Sequence, residues 1–349
     1  MKRLIAALIA LLMALGLGTA LAGEYTGPKI QAKFASEEIE GDFMTVWGKN
    51  FAQHMKDWSG GKIDITVYPY GTLGDTRDIN ELAQLGVVDF VFTDYAWISS
   101  FVPQVQVLTL NYLWPRQRVA EVMEWVVKKG KLMPLLEQKF RANDLVPLAI
   151  VYEGWQWMTS KKPIQSMADV KGLKLRLMAS KLLVESYKSY GASPSPMSYG
   201  EVYSGLQTGL IDAQVNPLFA IYSMKFYEVQ DYITQLWSEP FLGIPTVNQK
   251  FFDSLPKNAQ DEMRKFWMNA IPESAKWIDR VNADCKAKIA EAKPSVKFSV
   301  LGDDKIADFK AAAETVYPQY EKIGGDGAAE VLATLRQDIA DAKKALGIE

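Results

Sequence analysis

Lys171-Gly172-Leu173-Lys174-Leu175-Arg176 opens the stretch whose reading decides the fold, and Gly209-Leu210-Ile211-Asp212-Ala213-Gln214-Val215-Asn216-Pro217 closes it. The opening run alternates apolar and basic residues over the length of a strand. Leu182 to Tyr190 follows, with Leu183, Val184, Tyr187 and Tyr190 at helical spacings. Gly191-Ala192-Ser193-Pro194-Ser195-Pro196 reads as a turn, because its prolines forbid continued helix. Glu201 to Thr208 reads as a second short helix leading into the closing run. The order is strand, helix, turn, helix, strand, with an arginine at one strand end and an asparagine at the next. Arginine binds a carboxylate with two parallel hydrogen bonds, and asparagine adds a donor and an acceptor. The plain alternative is a surface charge at Arg176 and a turn residue before Pro217.

The same α/β grammar extends in both directions. Lys29 to Ala35 alternates Ile30, Ala32 and Phe34 with polar residues, as a strand does. A helix is expected from about Asp42 to Ser59, striped by Phe43, Val46, Trp47, Phe51 and Met55, capped by Asp42 and ended by Gly60-Gly61. Ile63 to Tyr68 is the next strand, so the chain opens with a parallel β-α-β unit. Val87 to Phe92 is a buried-type strand running into Asp94-Tyr95-Ala96-Trp97. Ligands of open α/β sheets sit outside the carboxyl ends of strands, which draws attention to Glu37, the Tyr70-Gly71 loop and Asp94 to Trp97. Val119 to Asn143 reads as helix and Val146 to Tyr152 as strand, ending in Glu153-Gly154-Trp155-Gln156-Trp157. Leu218 to Tyr227 reads as helix carrying Phe219. Tyr232 to Trp237 and Phe241 to Asn248 read as strands. From Lys257 to Glu291 a long helix is expected, kinked or divided at Pro272. Lys297 to Val300 is a last strand, with two helices on either side of Gly324-Gly325.

The chain has 349 residues and a formal net charge of −2. That charge argues against nucleic acid as a partner, since no basic face is evident. Met1-Lys2-Arg3, the aliphatic run Leu4 to Leu17 and Ala20-Leu21-Ala22 describe a secretory signal peptide over residues 1–22, cleaved after Ala22. No later apolar run is long enough to span a bilayer. Cys285 is the single cysteine, so no intramolecular disulfide can form. The 10 Trp, 15 Tyr and 15 Phe are unusual; most must fill the core, leaving a minority to wall a pocket.

Catalytic signatures are sparse. His54 is the only histidine and has no partner set for a metal site. No nucleophile elbow, phosphate-binding loop or dinucleotide fingerprint occurs. Glu37-Glu38 is the best local acid–base pair, and such pairs are usually solvated.

Five motifs in order carry a resemblance: Lys171 to Arg176, Gly191-Ala-Ser-Pro194, Glu201-Val-Tyr-Ser-Gly-Leu-Gln207-Thr-Gly209, Asp212-Ala-Gln-Val-Asn216-Pro217 and Phe226-Tyr-Glu-Val-Gln230. Together they resemble the solute-binding proteins of TRAP transporters, the DctP family, over nearly the whole mature chain. The resemblance implies an α/β, two-lobed periplasmic binding protein of the type II-like TRAP variant, with discontinuous lobes, a hinge and a long helix in the C-terminal half. Lobe I would comprise residues 23–152 plus about 238–280, and lobe II residues 153–237 plus about 281–349. The family's function implies a small organic anion or zwitterion as ligand, small and large TRAP permease subunits as partners, and no cofactor or metal. A periplasmic ligand sensor and a periplasmic enzyme on the same scaffold are the other readings.

The resemblance also assigns residues. The arginine matching Arg176 clamps the ligand carboxylate, and the asparagine matching Asn216 assists. Tyr199 falls where relatives place a ring against the solute, and Glu37, Asp94 and Trp97 fall on lobe I positions facing the pocket. Phe219 and Trp237 are further aromatic candidates. Gln156 stands where many acid-binding relatives carry a second arginine, which disfavours a doubly charged acid. Ser36 to Asp42 resembles the segment of ectoine-binding relatives in which the glutamate matching Glu37 pairs with the cationic half of a zwitterion.

Overall fold

The computed structural model describes residues 25–348; the signal-peptide reading lies outside these residues. Strand β1 (Ile30–Ser36), helix α1 (Phe43–Trp58) and strand β2 (Ile63–Tyr68) form the opening β-α-β unit. The strands pair in parallel from Ile30↔Ile63 to Ala35↔Tyr68. Helix α1 buries Phe43, Trp47, Phe51 and Met55 along one stripe, as the 3.6-residue period requires. Asp42 occupies the N-cap position but caps nothing with its side chain. Glu38 satisfies the first turn instead, its Oε2 accepting from the Met44 N–H at 2.6 Å. Helix α2 (Thr76–Gln84) is closed at its start by a reciprocal capping box between Asp75 and Asp78.

Strand β3 (Phe90–Asp94) follows, then helices α3 (Val119–Lys129) and α4 (Leu132–Arg141). The expected single helix over 119–143 is therefore broken. The cause is remote in sequence: Asp338 Oδ2 accepts from the N–H groups of Lys131 and Leu132, both at 2.8 Å, and so supplies an N-terminus for α4. Strands β4 (Leu145–Pro147), β5 (Val151–Trp155), β6 (Trp157–Ser160) and β7 (Lys174–Leu177) lead to α5 (Lys181–Ser189). Next come β8 (Ser193–Pro196), α6 (Val202–Thr208), β9 (Ala213–Asn216), α7 (Leu218–Ser223), β10 (Tyr232–Gln235) and β11 (Pro240–Asn248). The proline-rich segment expected as a turn thus forms β8, at the edge of its sheet, where missing N–H groups are tolerated. Helices α8 (Gln249–Ser254) and α9 (Lys257–Ala292), strand β12 (Lys297–Val300) and helices α10 (Asp303–Glu314), α11 (Tyr317–Gly324) and α12 (Ala328–Leu346) complete the chain.

Among the described residues the strands form two sheets. One runs β2-β1-β3-β11-β4 with β5 also paired to β11, and the other runs β12-β10-β6-β9-β7-β8. The chain passes from the first sheet to the second at Gln156, between β5 and β6, and returns through residues 236–239, between β10 and β11. Helix α9 makes a third crossing. It runs 36 residues unbroken through Pro272, packing on α1 in the first lobe and on β5 and α7 further along. Trp267 of α9 fills the first lobe's core, with ring centroids 5.6 Å from Phe51 and 5.1 Å from Phe92. The last helix, α12, lies against α3 and α4, whereas α10 lies against α5. His54 points away from the cleft, its Nε2 2.7 Å from Glu262 Oε1, where it ties α1 to α9. No described helix is long and apolar enough to cross a membrane.

Candidate ligand-binding site

Four strand ends meet between the lobes. β1 runs into Glu37 and Glu38, and β3 ends at Asp94 and leads to Trp97. β7 carries Arg176 and β9 ends at Asn216. They converge on a cavity with an empty volume of about 330 Å³, open solvent included. The first lobe contributes Glu37, Glu38, Thr76, Asp94, Trp97 and Phe241 to its wall, and the second contributes Arg176, Met178, Tyr199, Asn216 and Ala220.

Six of the nine residues singled out in the sequence are thus brought together: Glu37, Asp94, Trp97, Arg176, Tyr199 and Asn216. Three are not. Phe219 is buried but belongs to the packing of α7, its N–H donating to Asn282 Oδ1 at 2.9 Å. Its neighbour Ala220 faces the cavity instead, since successive helical residues diverge by about 100°. Gln156 lies in the first interlobe connection, its N–H donating to the Glu239 carbonyl at 3.2 Å. Trp237 lies in the second connection with a left-handed φ of 57°. It packs on Trp155 with centroids 5.5 Å apart and under the Arg116 guanidinium. Both connections sit at the hinge rather than on the cavity wall.

Thr76, Met178, Ala220 and Phe241 join the wall without being expected there, and Glu38 is expected only as half of a solvated acid–base pair. Met178 has a usable signal, because it stands two residues beyond Arg176 and the side-chain period of extended chain is two. Phe241 has none, since only the return of β11 beside β3 brings it to the cleft.

Arg176 is 1 % exposed, and its Nε donates to the Met197 carbonyl at 3.0 Å. Among the described residues it makes no ion pair within 4.0 Å. Burial lowers its pKa to about 10, so it stays cationic at neutral pH. A buried guanidinium with its fork uncommitted is an expensive arrangement unless an anion completes it.

The facing wall is acidic. Glu37 Oε2 accepts from Thr93 Oγ1 at 2.8 Å and from the Asp94 N–H at 2.9 Å. Asp94 Oδ1 accepts from the N–H groups of Ala96 and Trp97 at 2.6 and 2.8 Å, while its Oδ2 is buried without a partner among the described residues. Burial, then the charge of Asp94, holds the Glu37 carboxyl well above the usual carboxylate range. Burial pushes Asp94 up to about 6, against the pull of the Trp97 N–H and Arg176. Beneath them Glu38 is raised to about 8 by burial and by Asp42, and Asp42 to about 7 by burial. Glu153, also fully buried, is raised well above the usual range by burial and by Glu38.

The cleft is bridged at its rim. Tyr70 Oη accepts from the Gly200 N–H at 3.0 Å, Ser198 Oγ donates to Asp75 Oδ2 at 2.9 Å and Ser223 Oγ donates to Asp42 Oδ2 at 2.7 Å. Tyr70 also meets the Tyr199 ring edge-on at 5.8 Å. These contacts exist only with the lobes together. Replacing Tyr70 by Phe should keep the ring contact and remove one bridge, weakening solute binding by about 0.5–1.5 kcal/mol. The loss should appear as faster dissociation in stopped-flow fluorescence.

Comparison with known proteins bears on this arrangement. The model of the family described as bacterial extracellular solute-binding protein, family 7 (DctP), matches residues 34–323. The ectoine/5-hydroxyectoine-binding periplasmic protein UehA of Ruegeria pomeroyi is 32 % identical over 93 % of this chain and 94 % of its own. The periplasmic ectoine-binding protein of the TeaABC TRAP transporter of Halomonas elongata superposes with a TM-score of 0.85 at 31 % identity, over 89 % of this chain and 100 % of its own. A TRAP periplasmic solute-binding protein from Desulfovibrio salexigens, solved with bound orotic acid, gives 0.83 at 28 % identity, over 90 % of this chain and 100 % of its own.

Proposed function

The chain belongs to the DctP family of bacterial extracellular solute-binding proteins, and from that premise we propose that it captures a small zwitterionic carboxylate of the ectoine type. Lobe closure would trap the solute, and the closed form would deliver it to the small and large permease subunits of a TRAP transporter. Export would depend on the signal peptide, cleaved after Ala22, releasing the protein into the periplasm.

One observation carries the choice of ligand: the two walls of the cavity differ in charge. Arg176 stands on one side with its fork uncommitted, and Glu37 with Asp94 stands on the other. A carboxylate on Arg176 leaves the remainder of the solute against the acidic wall, where a cationic centre such as an amidinium is stabilised. A second carboxylate there would find no cation to pair with and would drive Glu37 and Asp94 further towards their protonated forms. Trp97, Tyr199 and Phe241 supply flat apolar surface for a ring. Asn216, at the end of β9, lines the cavity at the Arg176 end. Ligand contacts available only in the closed state would shift the lobe equilibrium towards closure.

The reading is tested by thermal shift across a panel of ectoine, succinate and galacturonate. Ectoine should raise the melting temperature, corresponding to about 2.7 kcal/mol at a hundredfold excess over Kd. A shift with succinate and none with ectoine would overturn it.

The acidic wall also sets a pH dependence whose sign follows from the carboxyl groups. Their pKa values are raised in the folded protein, so it holds more protons than the unfolded chain. The associated stability is full below the unfolded values near 4 and is lost as pH rises through about 6 to 8, the range of Asp94, Asp42 and Glu38. A cationic centre binding beside Glu37 and Asp94 favours their ionised forms and expels protons. Affinity for ectoine should therefore rise between about pH 5 and pH 8, with calorimetric heats that depend on the buffer. A fall in affinity over that window would mark a plain anion as the ligand.

A further inference from the structure

Behind Asn216 the second sheet holds a buried row of polar side chains. In the strand pairing Gln214 lies between Thr159 on β6 and Arg176 on β7. The Asn216 Nδ2 donates to Gln214 Oε1 at 2.5 Å, and Gln214 Nε2 donates to Thr159 Oγ1 at 3.2 Å. Thr159 Oγ1 then donates to Gln230 Oε1 at 3.1 Å, and Gln230 Nε2 to the Val229 carbonyl at 2.9 Å. Gln214, Thr159 and Gln230 have no exposed surface.

The direction of the row follows from its last member. A backbone carbonyl can only accept, so Gln230 must turn its NH₂ group to Val229 and its oxygen to Thr159. The Thr159 hydroxyl has one proton, spent on Gln230, so it can only accept from Gln214. Gln214 is then left with its oxygen for Asn216. Reversing any link would oppose two acceptors or two donors in a dry interior, which is costly.

We propose that Gln214 is a positioning residue that holds the Asn216 amide in a single orientation, with Nδ2 turned into the sheet and Oδ1 presented to the solute beside Arg176. The solute then meets an acceptor next to the carboxylate clamp, and an N–H or O–H near its carboxylate satisfies that acceptor. In ectoine the ring N–H next to the carboxylate-bearing carbon is such a donor. This last step rests on the proposed function; the orientation of Asn216 does not.

The orientation is tested by NMR without added solute, on protein labelled with ¹⁵N at asparagine and assigned with Asn216→Asp. The Asn216 side-chain amide protons should exchange slowly with solvent. Gln214→Met should accelerate that exchange about tenfold, as expected for one lost buried hydrogen bond. Gln214→Glu should restore slow exchange, because a protonated carboxyl reproduces one donor and one acceptor. Thr159→Val breaks the next link and serves if Gln214→Met is recovered poorly. Exchange in Gln214→Met or Thr159→Val equal to wild type would overturn the proposal.

Calorimetry with ectoine supplies the functional arm. Gln214→Met should weaken binding about tenfold, and Gln214→Glu should stay within about threefold of wild type. In an Asn216→Ala background Gln214→Met should add nothing. An equal loss in both backgrounds would overturn the positioning role. If ectoine fails to bind the wild type while the exchange results hold, the solute assignment fails and the positioning of Asn216 stands.

Discussion

Arg176→Ala should cost about 2–5 kcal/mol of solute binding, at least a ~30-fold rise in Kd, while leaving the protein folded. The loss is large because the guanidinium is buried, commits its Nε to Met197 and makes no ion pair among the described residues. Removing it leaves the ligand carboxylate desolvated with no partner. The same reasoning separates binding from stability. A buried cation without a counter-charge is not a stabilising element, so the melting temperature without solute should be unchanged or higher. Arg176→Lys should recover little, since an ammonium lacks the planar fork and cannot hold a carboxylate while donating to Met197. Calorimetry for affinity and thermal denaturation for stability read the two effects independently. Unchanged affinity would remove Arg176 from the site.

The second large effect lies in the scaffold. Trp267→Ala should destabilise the protein by about 3–5 kcal/mol, as expected for a large aromatic deleted from a core. Trp267 is 1 % exposed and its ring joins Phe51 of α1, Phe92 of β3 and Phe266 of its own helix. The residue lies on the helix that also crosses to the second lobe, so its removal loosens the element that both lobes share. Urea denaturation followed by far-UV circular dichroism measures the change. A shift below about 1 kcal/mol, the ordinary cost of a surface change or less, would show that the helix is not anchored there.

The parts of this fold that are legible in the sequence are those whose physics is local. The stripe of Phe43, Trp47, Phe51 and Met55 announces α1, and alternation announces β1 and β7. The site is legible to the extent that ligand-facing residues sit at strand ends: Glu37, Asp94, Arg176 and Asn216 all do. What stays hidden depends on distant chain. Nothing near Gly130 indicates that Asp338 divides α3 from α4, and nothing near Pro194 indicates an edge strand. Gln156 is a pocket candidate by resemblance, yet β5 and β6 place it at the hinge. Phe219 and Trp237 are candidates for their rings, and a ring buries equally well in a helix packing or a hinge as in a pocket. Phe241 gives no local sign, because its position in the cleft comes from sheet pairing alone. The row from Asn216 to Val229 spans two strands and the turn before β10, and no local pattern marks it.

The opposed charge of the two cavity walls is the central claim, and a crystal structure of the protein with ectoine tests it most directly. The carboxylate should make two hydrogen bonds with Arg176 and lie beside Asn216. The amidinium should face Glu37 and Asp94, with the ring between Trp97 and Tyr199. An ectoine carboxylate directed at the acidic wall, or a solute bound away from Arg176, would contradict it.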